Sequence, residues 1–332
     1  MSQVTQYGRV LSVVVSTDDG TGIDFAEFRC VFTVLRGDYQ TPNTCDVRIY
    51  NLSTSTTNLI KGQEFTRLSI AAGYPGNSAQ IFTGSITQVR SGRQDQKDSW
   101  VDITAADGDK AYNFAYVAQP VPAGSQPGTV ADLLLGAMQR VDPTVTGATQ
   151  PTWDKNGYIR GRVLNGPVRH EARQFARTKQ CAWSLQDNAL TWIPLGAYIP
   201  SGEVPVISPT TGLIGVPEQT TQGLRVRTLL NPVFKIGTRI KLDSNAINQY
   251  RYSTSPADLA NNQATKLQIS TAADGIYYVM VANHHGDSRG NDWYTDLMCL
   301  AVNATVTNQY TAQQLVAINP AVNPTTGTVQ RW

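Results

Sequence analysis

The sequence predicts a mainly β protein in which two small β-barrels flank a small α+β domain, and three observations carry the prediction. Strand-forming text is written twice, once near each end of the chain. Helical spacing of apolar residues is confined to the middle. Stretches rich in Pro, Gly and Ser separate these blocks. The first copy runs through residues 46–53, 61–70 and 79–89 and, after a polar turn, 100–104. The second runs through 223–231, 235–242 and 275–282 and, after a polar turn, 293–299. Both copies place a Gly before a strand and a Trp, Trp100 or Trp293, at the head of the last one. A repeat this long is a unit of architecture rather than a local motif.

Element by element, residues 8–108 read as strand after strand, a closed or nearly closed barrel. Residues 10–15 and 28–34 flank Asp18-Asp19-Gly20-Thr21-Gly22, which reads as the loop of a hairpin between them. In 28–34 the apolar residues alternate only loosely with Arg29 and Thr33, as in a strand with neighbours on both sides. Residues 55–61 read as a helical turn across one end of the barrel. The grammar changes after Asp107-Gly108-Asp109. Pro120, Pro122, Pro127, Gly124 and Gly128 form a linker, and Thr129 caps a helix to about Val141 with Val130, Leu133, Leu134, Ala137 and Met138 on one stripe. A second helix fits 168–179, and 182–185 and 189–193 form a hairpin turning at Gln186-Asp187-Asn188. Residues 194–217 read as a connector. The expected domains are 1–108, the first barrel; 109–207, the α+β domain with its linkers; 208–302, the second barrel, interrupted by a polar excursion at 249–271; and 303–332, an extended tail that orders only against a partner.

Composition excludes several classes. The 332 residues suffice for a core without disulfides or metals, and only 16% of them are charged against a usual share of about 25%. A net charge of +2 is too small to mark a nucleic-acid binder, and nothing in the balance points to a membrane surface. The first ten residues lack the pattern of a secretion signal, so the chain is expected to be made and kept in a cytosol. No apolar run reaches the roughly 20 residues of a membrane span. Cys30, Cys45, Cys181 and Cys299 form no CxxC pair and read as buried reduced thiols, although Cys30 and Cys45 could pair across a hairpin.

No group of residues reads as catalytic, cofactor-binding or metal-binding. His284-His285-Gly286-Asp287 is the one cluster that evokes a metal or a general base, but adjacent strand side chains point to opposite faces. It is expected at a hairpin end, with Gly286 and Asp287 making the turn. His170-Glu171 with Arg173, eleven residues before Cys181, lacks both the second His of a zinc helix and an orienting third group for a Cys/His pair. Asp107-Gly108-Asp109 and Asp18-Asp19-Gly20 lack the spaced oxygen ligands of a calcium loop and read as turns. Phosphate-loop and dinucleotide fingerprints are absent. Arg90, Arg93 and Lys97 in the first β-unit, and Arg225, Arg227, Lys235, Arg239 and Lys241 in the second, are either solvated strand faces or a basic surface that lines a channel or meets an acidic partner.

Several phrases resemble the central baseplate hub proteins of tailed bacteriophages: Val47-Arg-Ile-Tyr-Asn-Leu-Ser53, Ala71-Ala-Gly-Tyr74, Ile81-Phe-Thr-Gly84, residues 223–232 followed by Gly237-Thr-Arg-Ile-Lys-Leu242, and residues 279–290 ending in Trp293-Tyr-Thr-Asp296. The resemblance covers about residues 8–302 and consists of packing and turn motifs. It implies a non-enzymatic homotrimer in which each chain supplies two tail-tube-like barrels, so that a pseudo-sixfold ring joins the sixfold tail tube to the trimeric central spike. That ring would surround the channel for tape-measure protein and for DNA in transit, with no membrane insertion. The middle domain and the 249–271 excursion would meet peripheral baseplate or wedge proteins. Such a protein sits in the virion tail baseplate and is in the host cytoplasm during assembly. The competing readings are a tail-associated cell-wall hydrolase, using carboxylates or the His284-His285 loop, and a carbohydrate-binding module stacking sugars on Trp153 or Trp192, aromatics that read more readily as core.

Overall fold

The computed structural model describes residues 6–301 apart from positions 19, 39, 63–64, 149, 154–155, 195–197, 200–203, 221–222 and 243–274. The expected 249–271 excursion and 303–332 tail lie outside the described residues. The fold is mainly β. In the first unit, β1 (Val10–Ser16), β3 (Cys30–Leu35) and β4 (Thr44–Tyr50) bury alternate side chains, as a sheet with one apolar face requires. With β2 (Gly22–Asp24), β5 (Arg67–Tyr74), β6 (Asn77–Arg93) and β7 (Ser99–Ala106) they pair in the order β2-β1-β5-β6-β7-β4-β3. Val13, Phe32, Ile49, Ile70, Phe82 and Ile103 lie in its core. The helical turn is present as α1 (Thr54–Lys61), where the Ser53 hydroxyl accepts from the Thr56 N–H at 3.1 Å and Ile60 is buried.

The loop at 17–21 joins β1 to β2, not to β3. The three-residue β2 is too short to show a period-2 pattern, which is why the next long apolar run stood in for it. The strand β3 lies between two neighbours, as its loose alternation implied, but they are β4 and β17 (Ile276–Asp287).

The middle has its own core, built on α3 (Pro127–Gln139) and α4 (Val168–Lys179). Helix α3 starts two residues before Thr129 because Pro127 occupies its first turn, where a missing N–H costs nothing. The hairpin is β11 (Cys181–Gln186) with β12 (Ala189–Pro194), and Asp187 and Asn188 both have positive φ, 54° and 60°, as a two-residue type I′ turn demands. Short β9 (Thr146–Gly147) adds to β12 in parallel. Sequence reasoning missed α2 (Asp109–Phe114), β8 (Tyr116–Val121) and β10 (Arg162–Pro167). The last two form a two-stranded ladder in which Pro120 is opposite Val163, so the supposed linker is partly strand.

The second unit comprises β13 (Val206–Ile207), β14 (Leu213–Thr220), β15 (Gly223–Leu229), β16 (Arg239–Leu242), β17 and β18 (Trp293–Ala301). The connector read at 194–217 therefore already contains β13 and the first part of β14. Pro217 disguised the latter, and it falls at the register shift between Ile214 and Glu218 on the sheet's end strand, a position that tolerates a missing donor. The repeat is real at the level of pairing: β4-β7-β6-β5 in the first unit matches β15-β18-β17-β16 in the second. Likewise β3 flanks β4 as β14 flanks β15. One difference is that β13 runs parallel to β16 whereas β1 runs antiparallel to β5.

Candidate assembly surfaces and the seam between the units

The C-terminal end of β17 stays paired with β18 on one side and on the other pairs with β3, placing His284 opposite Val34, His285 opposite Thr33, Gly286 opposite Phe32 and Asp287 opposite Val31. This ladder joins both β-units into one 13-stranded sheet. Leu230 and Trp293 from the second unit enter the core of the first, and the Trp293 ring meets Phe32 edge-on at 5.7 Å. Gly286 permits the contact. A Cβ there would fall on the Phe32 ring and 3.0 Å from Cε3 of Trp293. Polar groups close the rim. Arg29 donates through Nη2 and Nε to Asp287 at 2.7 and 3.3 Å, Arg9 Nη1 donates to the carbonyls of Asp287 and Gly290, and the Cys30 N–H donates to Ser288 Oγ at 3.0 Å. Burial pushes the Asp287 carboxyl up, but the Arg29 hydrogen bond and the Arg289 N–H outweigh it and hold the group below the usual carboxylate range.

The histidine cluster is thus a strand end in the seam; the expected turn falls after Asp287, at 288–292. The two rings do face opposite sides. His284 is buried, with Nδ1 2.9 Å from the Thr295 hydroxyl, and burial first, then the charges of Arg36 and His285, lower its pKa to about 3. The His285 ring lies 5.1 Å from that of Tyr294, with Nε2 3.9 Å from Asp296. Among the described residues no group of three or more His, Cys, Asp or Glu could hold a metal ion.

A second junction ties three parts of the chain together and was not visible in the sequence. Asp107, read as a turn residue, is buried and accepts the backbone N–H groups of Asp187 and Asn188, both at 2.6 Å, which crosses the Asp187-Asn188 turn of the middle domain onto the end of β7. Arg36 is buried beside it, donating to the Ile81 carbonyl at 2.7 Å and to Asp187 at 2.9 Å. Asn43 donates to Asp107 and to the Leu185 carbonyl. Tyr278 of β17 donates to Asp38, whose carboxyl is raised to about 6 by burial; Asp107 is raised to about 6 by the same cause. The signal that existed was the Asp187-Asn188 turn, whose two inward N–H groups need an acceptor.

The predicted cations fall into two groups. Arg90 on β6, 3.4 Å from Asp102, Arg93 at the strand end and Lys97 in the next turn are exposed together. Arg225 and Arg227 occupy the outward face of β15, with Lys241 exposed on β16, which is separated from β15 by the two strands β18 and β17. Lys235 is exposed before β16, while Arg239 is half-buried with its guanidinium 4.1 Å from the centre of the Tyr198 ring. Arg227 is engaged by Asp296.

The other candidates resolve into packing. His170 is exposed on α4, and the Cys181 thiol is buried, its pKa pushed up to about 12 by burial, far from a thiolate nucleophile. All four cysteines are free and buried. Trp192 is buried, and Trp153 packs edge-on against Phe175 at 5.1 Å and Trp192 at 6.0 Å in the middle core. Asp18 meets Lys110 at 3.6 Å and Arg67 at 3.7 Å.

The fold of this chain is similar to that of solved phage tail proteins. The chain superposes on the 43 kDa tail protein of prophage MuSo2 from Shewanella oneidensis with a TM-score of 0.56 and 7% identity, covering 91% of this chain and 99% of that one. A tail protein from Neisseria meningitidis MC58 gives 0.55 and 12% identity, covering 92% and 99%. An Escherichia coli component of the type VI secretion system, described as structurally similar to the T4 bacteriophage tail proteins gp27 and gp5, gives 0.52 and 8% identity, covering 91% and 78%. No protein-family model and no curated protein sequence matches the chain.

Proposed function

We propose that this protein is a structural, non-enzymatic hub of a phage tail baseplate: a homotrimer whose doubled β-units, near 1–108 and 208–302, form a pseudo-sixfold ring. That ring joins the hexameric tail tube to a trimeric central spike and encloses the path of tape-measure protein and DNA. The middle domain, near 109–207, faces peripheral baseplate proteins, and the assembled protein resides in the virion tail after assembly in the host cytoplasm. The observation that carries this reading is the duplicated strand pairing, because an internally doubled protomer lets a threefold assembly present six similar units. The rival hydrolase would need an available acid or base. Here His284, Asp38 and Asp107 are buried, which removes them from that role and leaves the partly exposed His285, 3.9 Å from Asp296, in the cluster. The test is the absolute mass of the full chain by light scattering over a wide concentration range, alone and with a trimeric tail spike. A trimer in either condition supports the ring, and a monomer throughout overturns it.

A further inference from the structure

A cleft of about 340 Å³ lies at the rim of the seam, toward the small end of the range for small-molecule sites. Glu27, Phe28 and Arg29 from the loop between β2 and β3, Tyr50 at the end of β4, the following Asn51, and Asp98 just before β7 line it. Arg289, in the turn after β17, joins them from the second unit. Hydrogen bonds fix these walls. The Phe28 N–H donates to the Phe25 carbonyl and the Tyr50 N–H to the Arg29 carbonyl, each at 3.0 Å. Asn51, at φ 57°, accepts the Ser99 N–H and donates to Asp98 Oδ1, each at 2.9 Å. Arg289 donates from its backbone N–H to Asp287 Oδ1 at 2.9 Å and from Nη2 to the Glu27 carbonyl at 2.8 Å. Walls that are already ordered lower the entropy that binding costs.

The lining combines an aromatic surface with charges of both signs. Among the described residues the Glu27 carboxylate has no hydrogen-bond or ion-pair partner, and the Asp98 side chain accepts only through Oδ1. Arg29 uses Nε and Nη2 on Asp287 and lies 4.8 Å from the centre of the Tyr50 ring, which leaves Nη1 as a donor. Arg289 has no carboxylate partner among the described residues. Phe28 meets Phe25 edge-on at 6.0 Å and stays 36% exposed. An anionic ligand here meets Glu27 and Asp98, and a cationic one meets Arg29 and Arg289. An apolar ligand would cover charged groups without giving them partners. A hydroxyl is donor and acceptor at once, so a ring bearing several of them satisfies both sets, while its C–H groups suit the negative face of an aromatic ring. We infer that this cleft binds a neutral saccharide, one sugar ring packing on Phe28 with its hydroxyls shared between the two carboxylates and the two guanidiniums. Trp153 and Trp192, packed in the middle core, take no part, and the inference stands apart from the ring reading.

The test is saturation-transfer NMR on the full chain with the methyl glycosides of glucose, galactose, mannose and N-acetylglucosamine. Mannitol, which has the hydroxyls without the ring, and the zwitterion glycine serve as controls. The expected result is transfer to at least one glycoside and to neither control. Glu27→Ala, whose side chain has no partner to lose, should weaken that binding about tenfold or more, the effect of one hydrogen bond to a charged group. Phe28→Ala should weaken it likewise, and Arg140→Ala, an exposed position outside the cleft, should leave it unchanged. Urea unfolding of each variant shows whether the fold is intact, and Glu27→Ala alone suffices if Phe28→Ala unfolds. No transfer to any glycoside, transfer that survives Glu27→Ala, or equal transfer to mannitol or glycine overturns the site. The ring reading is decided separately, by the mass of the assembly.

Discussion

Arg227 lies directly across the β15–β18 ladder from Asp296 and grips it with Nε and Nη2 at 2.7 and 2.9 Å, the same two distances at which Arg48 grips Asp102 across β4–β7. In each unit the guanidinium also lies over an aromatic ring two residues before the aspartate, Tyr294 at 4.3 Å and Trp100 at 4.7 Å. The duplication has thus kept a three-residue clamp as well as strand order. Both arginines are about two-fifths exposed, at 42% and 40%, so solvent screens the charges. Double-mutant cycles in urea are expected to give couplings of about 0.5–1 kcal/mol at both sites, the upper part of the range for surface pairs because the geometry is bidentate. Asp102→Ala should cost more than Arg48→Ala, since Asp102 also meets Arg90. A coupling present in one unit and absent in the other would break the equivalence.

Gly286 is where the seam has no room for a side chain. Gly286→Val drives two methyl groups toward Phe32 and Trp293, and the ladder can accept them only by opening. Overpacking of this kind costs about 1–3 kcal/mol. The expected loss of urea stability should come with faster amide exchange in residues 31–34 and 284–287. Unchanged exchange there would mean that the strain is absorbed elsewhere.

The sequence made some of this legible and hid the rest for identifiable reasons. Helix α4 and the β11–β12 hairpin were readable because an amphipathic stripe and a type I′ turn are local signals. The partner of β1 was not, because β2 spans three residues, and strand pairing is decided by contacts distant in sequence. The seam residues were visible as a cluster but not as a seam: His284 and Val34 are 250 positions apart, and no local pattern encodes that pairing.

The two head-of-strand tryptophans show how a one-residue offset changes meaning. Register makes Trp100 the counterpart of Tyr294, not of Trp293, since each lies two residues before its clamped aspartate. Side chains alternate along a strand, so Trp100 faces outward against Arg48 while Trp293 turns inward into the first core. Trp293→Ala is expected to cost about 3–5 kcal/mol in urea unfolding, the range for emptying a buried aromatic site, and Trp100→Ala distinctly less. Equal losses would argue that the inward and outward assignments are wrong.

Acid should separate the seam from the three-way junction. His284 binds a proton near 6.5 when unfolded but only at about 3 when folded, so the stability gained by keeping it neutral is complete above 6.5 and is lost as pH falls toward 3. Asp38 and Asp107 carry the opposite sign. Burial raises them from 3.8 to about 6, so their ionised forms weigh against the fold above 6, and that cost is relieved as pH falls from 6 toward 3.8. Each group can change stability by at most about 1.4 kcal/mol per pH unit within its window. Measured by urea unfolding at successive pH values, wild type should lose ground against His284→Asn from pH 6.5 downward and gain ground against Asp107→Asn between pH 6 and 4. Parallel profiles for the three proteins would mean that neither group changes its proton affinity on folding.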